Sequence, residues 1–509
     1  MKIIQLQDNH FGSYFDQEGH DVFRGKKISK INGKYKEYKY QNSLKKDEET
    51  ISYTKKEIDF LKDIYYSKLN TIEEMRANGV IILGEHDDND YLHEPLFELT
   101  NINNKDKGEE SFIIETGNLM GVVRFSSKDN PDIVLQIEVG SRFDKGDKQY
   151  FLNYMLSKVF DVDLTSNVSF EHGGMWGILL ALVFMRHFIE ACRIGLFKQY
   201  KKYEYNDLYF KGHLDLARHL RNYPLCDRIT YTTHELTFDN VINQLILQAI
   251  GKIDSLWPRI LSSNHIIQQN IRMLKENTTI CSRSELKHLL KQREIQQTIR
   301  HPLYAQYYEP LRKISIMILK EEGFSLYSTN QTNEVEGVIF DGAWLWEEYI
   351  ASLLIEQGFI HAIAVPSKEQ NGIPALINQN NVIRTFYPDF YHSEKGIVLD
   401  TKYKFAATAG KREDIHQVMA YMLLLDAKVG GLVYPPILSE DEIIEANQIG
   451  IDRKLKSLIV PVRKNNPRHW CNYGFTFPND QKIEGYDEFI RKMEEAETRF
   501  LNFLDNPTK

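Results

Sequence analysis

Between Trp344 and Tyr434 the sequence changes period repeatedly, and the order of those changes restricts the fold more than any other feature. Trp346, Tyr349, Ile350, Leu353 and Leu354 recur at helical spacing in a stretch near Trp344 to Gln357. Strand-like segments follow at Thr385 to Phe390 and Gly396 to Asp400, separated by turn-forming residues from His392 to Gly396. A helical pattern then runs from Asp414 to Leu425, and an apolar strand from Gly431 to Tyr434. This order predicts a small mixed sheet with flanking helices, an α/β arrangement whose two middle strands form a hairpin.

The hairpin carries the chemistry. Asp400 and Lys402 are two apart on one strand, so they share a face, while Thr401 between them points to the other. Asp389, preceded by Pro388 on the partner strand, can join them. Two close carboxylates raise one another's pKa unless a cation lies between them, and an all-oxygen ligand set favours Mg²⁺ or Mn²⁺. The metal ligands expected are Asp389, Asp400, the backbone carbonyl of Thr401 and, from the preceding helix, Glu347. Glu347 lies at the margin of that helix's apolar stripe, whereas Glu348 is nearly opposite. Such an ion can polarise a phosphodiester and activate water, with Lys402 orienting the water or neutralising the phosphate. Gln417, four residues from Tyr421 and on the same helical face, is a further catalytic candidate, either contacting DNA or making a structural hydrogen bond. Asp-x-Lys spacing is common by chance. Asp452-Arg453-Lys454 repeats it, but without a comparable apolar strand or a preceding Pro-Asp, and is read as a decoy.

The rest of the chain sets the context. Its 509 residues exceed what one hydrophobic core organises, and three regions are expected. Residues 1–150 read as a mixed, β-rich domain, with strand-like segments at Val80 to Leu83, Phe112 to Ile114, Val122 to Phe125 and Ile133 to Val139, and helical spacing from Glu57 to Met75. Residues 151–325 read as helical, with Val241 to Ile253 strongly amphipathic, and residues 326–509 hold the α/β core. Lys34-Tyr35-Lys36 and Tyr38-Lys39-Tyr40 describe either an exposed strand or a single-strand-binding surface, and Glu85 to Asp90 is acidic but lacks calcium-loop spacing. Net charge is −8, so any DNA contact is local rather than a property of the whole surface. Cys192, Cys226, Cys281 and Cys471 are scattered without zinc spacing and are expected to be reduced. No long apolar segment opens the chain, and the longest apolar run, Trp176 to Met185, is too short to span a bilayer, so a cytoplasmic protein without membrane contact is expected. The sequence contains no G-x-x-x-x-G-K-[ST] nucleotide-binding loop.

The segments Trp344-Leu345-Trp346-Glu347-Glu348-Tyr349, Tyr387-Pro388-Asp389, Val398-Leu399-Asp400-Thr401-Lys402-Tyr403, Gln417 with Tyr421, and Gly430-Gly431-Leu432-Val433-Tyr434-Pro435 together resemble the nuclease domain of the McrC family, within the PD-(D/E)XK nucleases. Phe210-Lys211-Gly212-His213-Leu214-Asp215 and Phe238-Asp239-Asn240-Val241-Ile242-Asn243 resemble that family's helical region. The resemblance covers about residues 150 to 465; Thr401 departs from the small alanine often found between the acid and lysine. It implies a metal-dependent DNA endonuclease that works with, and stimulates, a McrB-like hexameric AAA+ motor, a GTPase or ATPase, on double-stranded DNA carrying modified cytosine. A non-catalytic adaptor of an AAA+ ring and a free-standing repair nuclease are the alternatives.

Overall fold

The computed structural model describes residues 2–8, 14–15, 21–22, 26–31, 34–39, 49–84, 89–101, 111–130, 132–144, 148–162, 174–222, 227–262, 265–282, 284–320, 334–362, 372–378, 381–404, 412–435, 458–460, 468–475, 483 and 485–505. The chain divides into two units, residues 1–170 with 331–509, and residues 171–330. Tyr40, the acidic stretch from Glu85 to Asp88, Cys226 and the Asp452 to Lys454 decoy lie outside the described residues.

In the first unit a five-stranded sheet runs in the order Lys2–Gln7, Val134–Gly140, Leu119–Ser126, Glu334–Asp341, Ile81–Leu83. Its outer pairings are parallel and its inner ones antiparallel. Leu119, Met120, Val122, Val123 and Phe125 of the middle strand are all buried, as a strand covered on both faces requires. A Cβ at Gly121 would stand 2.2 Å from the carbonyl of Val338, and one at Gly337 would stand 2.6 Å from that of Val122. Only glycine lets these two strands close on one another.

That pairing redraws the domain map. Glu334–Asp341 is matched along its length to Leu119–Ser126, so the first 150 residues share a sheet with the segment leading into the α/β core. An apolar run announces a strand but not its partner, and this partner lies far away in sequence. A second five-stranded sheet, ordered Glu49–Tyr53, Lys34–Lys39, Lys26–Ile31, Ser111–Glu115, Glu98–Asn101, makes the N-terminal region β-rich and places Lys34 to Lys39 in a strand. The helical spacing from Glu57 to Met75 resolves into two helices, Lys55–Tyr66 and Ile72–Ala77. Thr54 and Glu57 cap the first reciprocally, and Lys68 at φ +58° turns the chain before the second.

The α/β sheet has six strands in the order Ile360–His361, Phe390–His392, Ile397–Thr401, Val429–Tyr434, Arg468–Gly474, Leu458–Val460. Helix Arg412–Leu424 connects the parallel pair Ile397–Thr401 and Val429–Tyr434. Val418, Tyr421 and Met422 pack it against Val398, Leu432 and Trp470. Helix Gly342–Leu354 begins where the first sheet ends: Asp341 accepts from the backbone N–H of Ala343 at 2.5 Å. Trp346, buried, donates its indole N–H to the carbonyl of Val433 at 3.3 Å.

The second unit contains helices Gly174–Arg193, Val241–Leu256, His265–Asn277 and Pro302–Lys320, and a three-stranded sheet of Gln199–Asp207, Ile229–Thr237 and His213–Leu214. The sheet adds strands to a stretch that reads as helical; its first strand, QYKKYEYND, is too polar to announce itself. In this unit Gly212 allows close strand approach, since a Cβ would meet the carbonyl of Thr232 at 2.2 Å. Asn240 caps the following helix through the N–H of Asn243, whose amide in turn donates to the carbonyls of Phe197 and Phe238. Gly177 to Met185 are buried, and among the described residues no helix is long and apolar enough to cross a membrane. Cys192, Cys281 and Cys471 are in no disulfide among the described residues.

Candidate active site

Gly396, at φ +65°, closes a turn that pairs Phe390–His392 with Ile397–Thr401, Phe390 lying opposite Leu399. Asp389 immediately precedes its strand and by this register lies level with Asp400. The hairpin thus brings Asp389, Asp400 and Lys402 to one end of the sheet.

Asp400 is fully buried, and its carboxyl oxygens are approached by the Lys402 ammonium at 2.5 Å but otherwise meet no donor among the described residues. Burial, and then the charge of Asp389, push its carboxyl up to about 8 despite the opposing pull of Lys402. Burial acts to lower the Lys402 ammonium, but Asp400's charge and contact outweigh it and hold the amine above the ordinary lysine value. Asp389 is fixed differently. Its Oδ2 accepts both the backbone N–H and the hydroxyl of Thr401, each at 2.7 Å. Thr401 therefore does more than turn away from the acids: its hydroxyl holds one of them, a bond that alanine lacks.

Glu347 stands in the same field from the neighbouring helix. Its side chain is 32% exposed, yet it accepts from or shares a proton with His361 Nε2 at 2.8 Å. Burial, with the charge of Asp389 second, pushes its carboxyl up to about 7, while His361 pulls it down. His361 is itself raised above the usual histidine value, because Glu347 more than offsets the effect of burial. The imidazole lies over Phe390, centroids 4.8 Å apart. Nothing in the sequence singled out His361. It follows Gly358, which ends the helix at φ +84°, in a two-residue strand too short to carry a periodic signal.

Gln417 is exposed at the edge of the group. It donates to the Tyr421 hydroxyl at 2.9 Å, and that hydroxyl donates to the carbonyl of Tyr387 at 3.3 Å, a structural chain that ties helix Arg412–Leu424 to the approach of Asp389. Two further charges were not anticipated. Lys404 and Asp414 form an ion pair, and the charge of Asp414 reaches both Asp400 and Lys402.

Among the described residues no group of three or more His, Cys, Asp or Glu side chains forms a metal cage. The donors at hand are two carboxylates, one of them buried with its oxygens short of donors. That set fits a hard cation that keeps several waters, as Mg²⁺ does, and not a zinc-like cage.

The fold and this group of acids define an α/β protein with a carboxylate pair, one member buried, beside a lysine at the end of a mixed sheet. The McrBC 5-methylcytosine restriction system component family matches over residues 114–435, and the chain belongs to that family. A comparison with curated proteins finds no match. Among solved structures, the chain is similar to one from a half-complex of the tetradecameric assembly of Thermococcus gammatolerans McrB AAA+ hexamers with bound McrC, at 12% identity and TM-score 0.40, covering 87% of this chain and 96% of that one. A second, from the cryo-EM structure of the Thermococcus gammatolerans McrBC complex, gives 13% identity and TM-score 0.28, covering 60% and 83%.

Proposed function

We propose that this chain is the endonuclease subunit of a McrBC-type restriction complex, hydrolysing DNA phosphodiesters with Mg²⁺ or Mn²⁺ held by Asp389 and Asp400 in a PD-(D/E)XK core. The observation that carries this reading is the buried, donor-poor carboxylate of Asp400 beside Lys402 and Asp389, inside the segment that matches the family. When bound, the ion supplies charge to the phosphodiester and lowers the pKa of a water. The protein's residues do the rest. Thr401 orients Asp389 through two hydrogen bonds and offers its backbone carbonyl as a further ligand. Lys402, beside Asp400 and held above the ordinary lysine value, serves at rest as a cation facing phosphate oxygens. Glu347, braced by His361, extends the acidic rim on the helix side.

The motor is a separate chain. This sequence lacks a phosphate-binding loop and carries net charge −8, so it has neither a nucleotide engine nor a general attraction for DNA. We infer that a McrB-like AAA+ ring, a GTPase or ATPase, delivers double-stranded DNA bearing modified cytosine to the site, in the cytoplasm. The test is cleavage of a 5-methylcytosine plasmid by the chain with its motor, nucleotide and Mg²⁺. Asp400→Ala should abolish cutting while motor binding persists, and Lys402→Ala should abolish cutting while metal binding persists. Near wild-type cutting by Asp400→Ala would overturn the assignment of the centre.

A further inference from the structure

Tyr403, the residue after Lys402, points away from the acids and into the N-terminal sheet. Its hydroxyl lies 2.7 Å from the Oγ of Ser141, and its ring packs edge-on against Phe143 at 5.0 Å. The Arg142 guanidinium lies 4.8 Å from the ring centroid. Arg142 is locked in turn: its Nε and Nη2 donate to Oδ2 of Asp8 at 3.0 and 2.7 Å, its backbone N–H donates to Oδ1 at 2.6 Å, and Nη2 also reaches Asn118 Oδ1 at 2.9 Å. Asp8 and Arg142 are 0% and 5% exposed. Gly342, first residue of the helix that carries Glu347, also abuts the ring: a Cβ there would stand 2.6 Å from Tyr403 Cε1. One side chain is thus held at one end of the N-terminal sheet, just beyond the last residues of Lys2–Gln7, Val134–Gly140 and Glu334–Asp341, immediately beside Lys402.

We infer that Tyr403 is a positioning residue for Lys402, and that the buried Asp8–Arg142 pair fixes its place from the N-terminal sheet. The inference rests on the nuclease reading given above. A fully buried ion pair costs desolvation and is a poor source of net stability, but its forked geometry leaves the aromatic ring it supports little freedom. Because Lys402 and Tyr403 are adjacent, a shift of the ring moves the lysine's backbone, and a misplacement of about 1 Å at a reacting group costs on the order of 100-fold in rate.

The experiment measures kcat and KM for cleavage of a 5-methylcytosine plasmid by the full chain with its motor, for wild type, Tyr403→Phe, Tyr403→Leu, Asp8→Asn and the Asp8→Asn, Tyr403→Phe double variant, with circular dichroism to confirm folding. A wild type that cuts and an Asp400→Ala variant that does not establish the nuclease reading separately. The expected result is a fall in kcat at unchanged KM, roughly tenfold for Tyr403→Phe and on the order of 100-fold for Tyr403→Leu. The double variant should lose less than the product of the single losses, because both act through one contact chain. A folded Tyr403→Leu protein with wild-type kcat overturns the inference. If that variant does not fold, unchanged kcat in Tyr403→Phe overturns it, and so do effects in the cycle that multiply independently.

Discussion

A buried carboxyl held near a pKa of about 8 must make the metal-free protein lose stability as pH rises. Asp400 binds its proton more tightly when folded than when unfolded, since its carboxyl rises from 3.8 to about 8. Its favourable contribution is therefore complete below pH 3.8 and is lost as pH rises through 8. Asp8 is raised in the same sense, chiefly by burial, but only to about 6, so the interval from pH 6 to 8 separates the two. There Asp400 alone would cost about 2–3 kcal/mol, at 1.36 kcal/mol per unit of pKa. Asp400→Asn keeps the shape and removes the titration. We would follow denaturant midpoints of wild type and Asp400→Asn in EDTA at pH 6, 7 and 8. Glu347 and His361 titrate in both proteins and cancel in the comparison. The wild type should lose stability relative to the variant by about 2 kcal/mol across the interval, and Mg²⁺ should restore it in the wild type alone, with proton release. Parallel pH slopes in EDTA would refute the argument that Asp400 is protonated in the empty site.

Three further outcomes follow from the same geometry. Arg142→Met strands a buried carboxyl and should destabilise the protein by roughly 3–5 kcal/mol, read from denaturant midpoints at pH 7; a loss below about 1 kcal/mol would show that Asp8 is readily rehydrated. Thr401→Val removes one of two donors to Asp389 and should weaken Mg²⁺ binding and cleavage about tenfold, consistent with a charged hydrogen bond worth about 1.5–3 kcal/mol, whereas Thr401→Ser should retain most activity. The chain alone should cut plasmid poorly and accelerate strongly with its motor and hydrolysable nucleotide; equal, rapid cutting with and without the motor would favour a free-standing nuclease.

The hairpin was legible because everything that makes it is local. Alternation placed Asp400 and Lys402 together, Gly396 supplied the left-handed turn, and the apolar runs at Val398 and Leu432 fit a covered sheet. The helices at Gly342–Leu354 and Arg412–Leu424 were readable for the same reason. What was hidden depends on residues far apart in the chain. No local pattern links Glu334–Asp341 to Leu119–Ser126, or Asp8 to Arg142. His361 sits in a strand of two residues, and the hydroxyl of Thr401 reaches Asp389 from what alternation makes the opposite face. Tyr403 appeared only as the tail of a motif, because its partners are brought to it by the N-terminal sheet.

The discontinuous first unit also has a consequence for synthesis. Leu119–Ser126 must await Glu334–Asp341, and the roughly 200 residues between them take on the order of 10–40 s to translate at about 5–20 residues per second. For that interval a mostly apolar strand has an unpaired edge, open to wrong partners. Slower translation across residues 171–330 should therefore lengthen the interval in which that edge can meet a wrong partner.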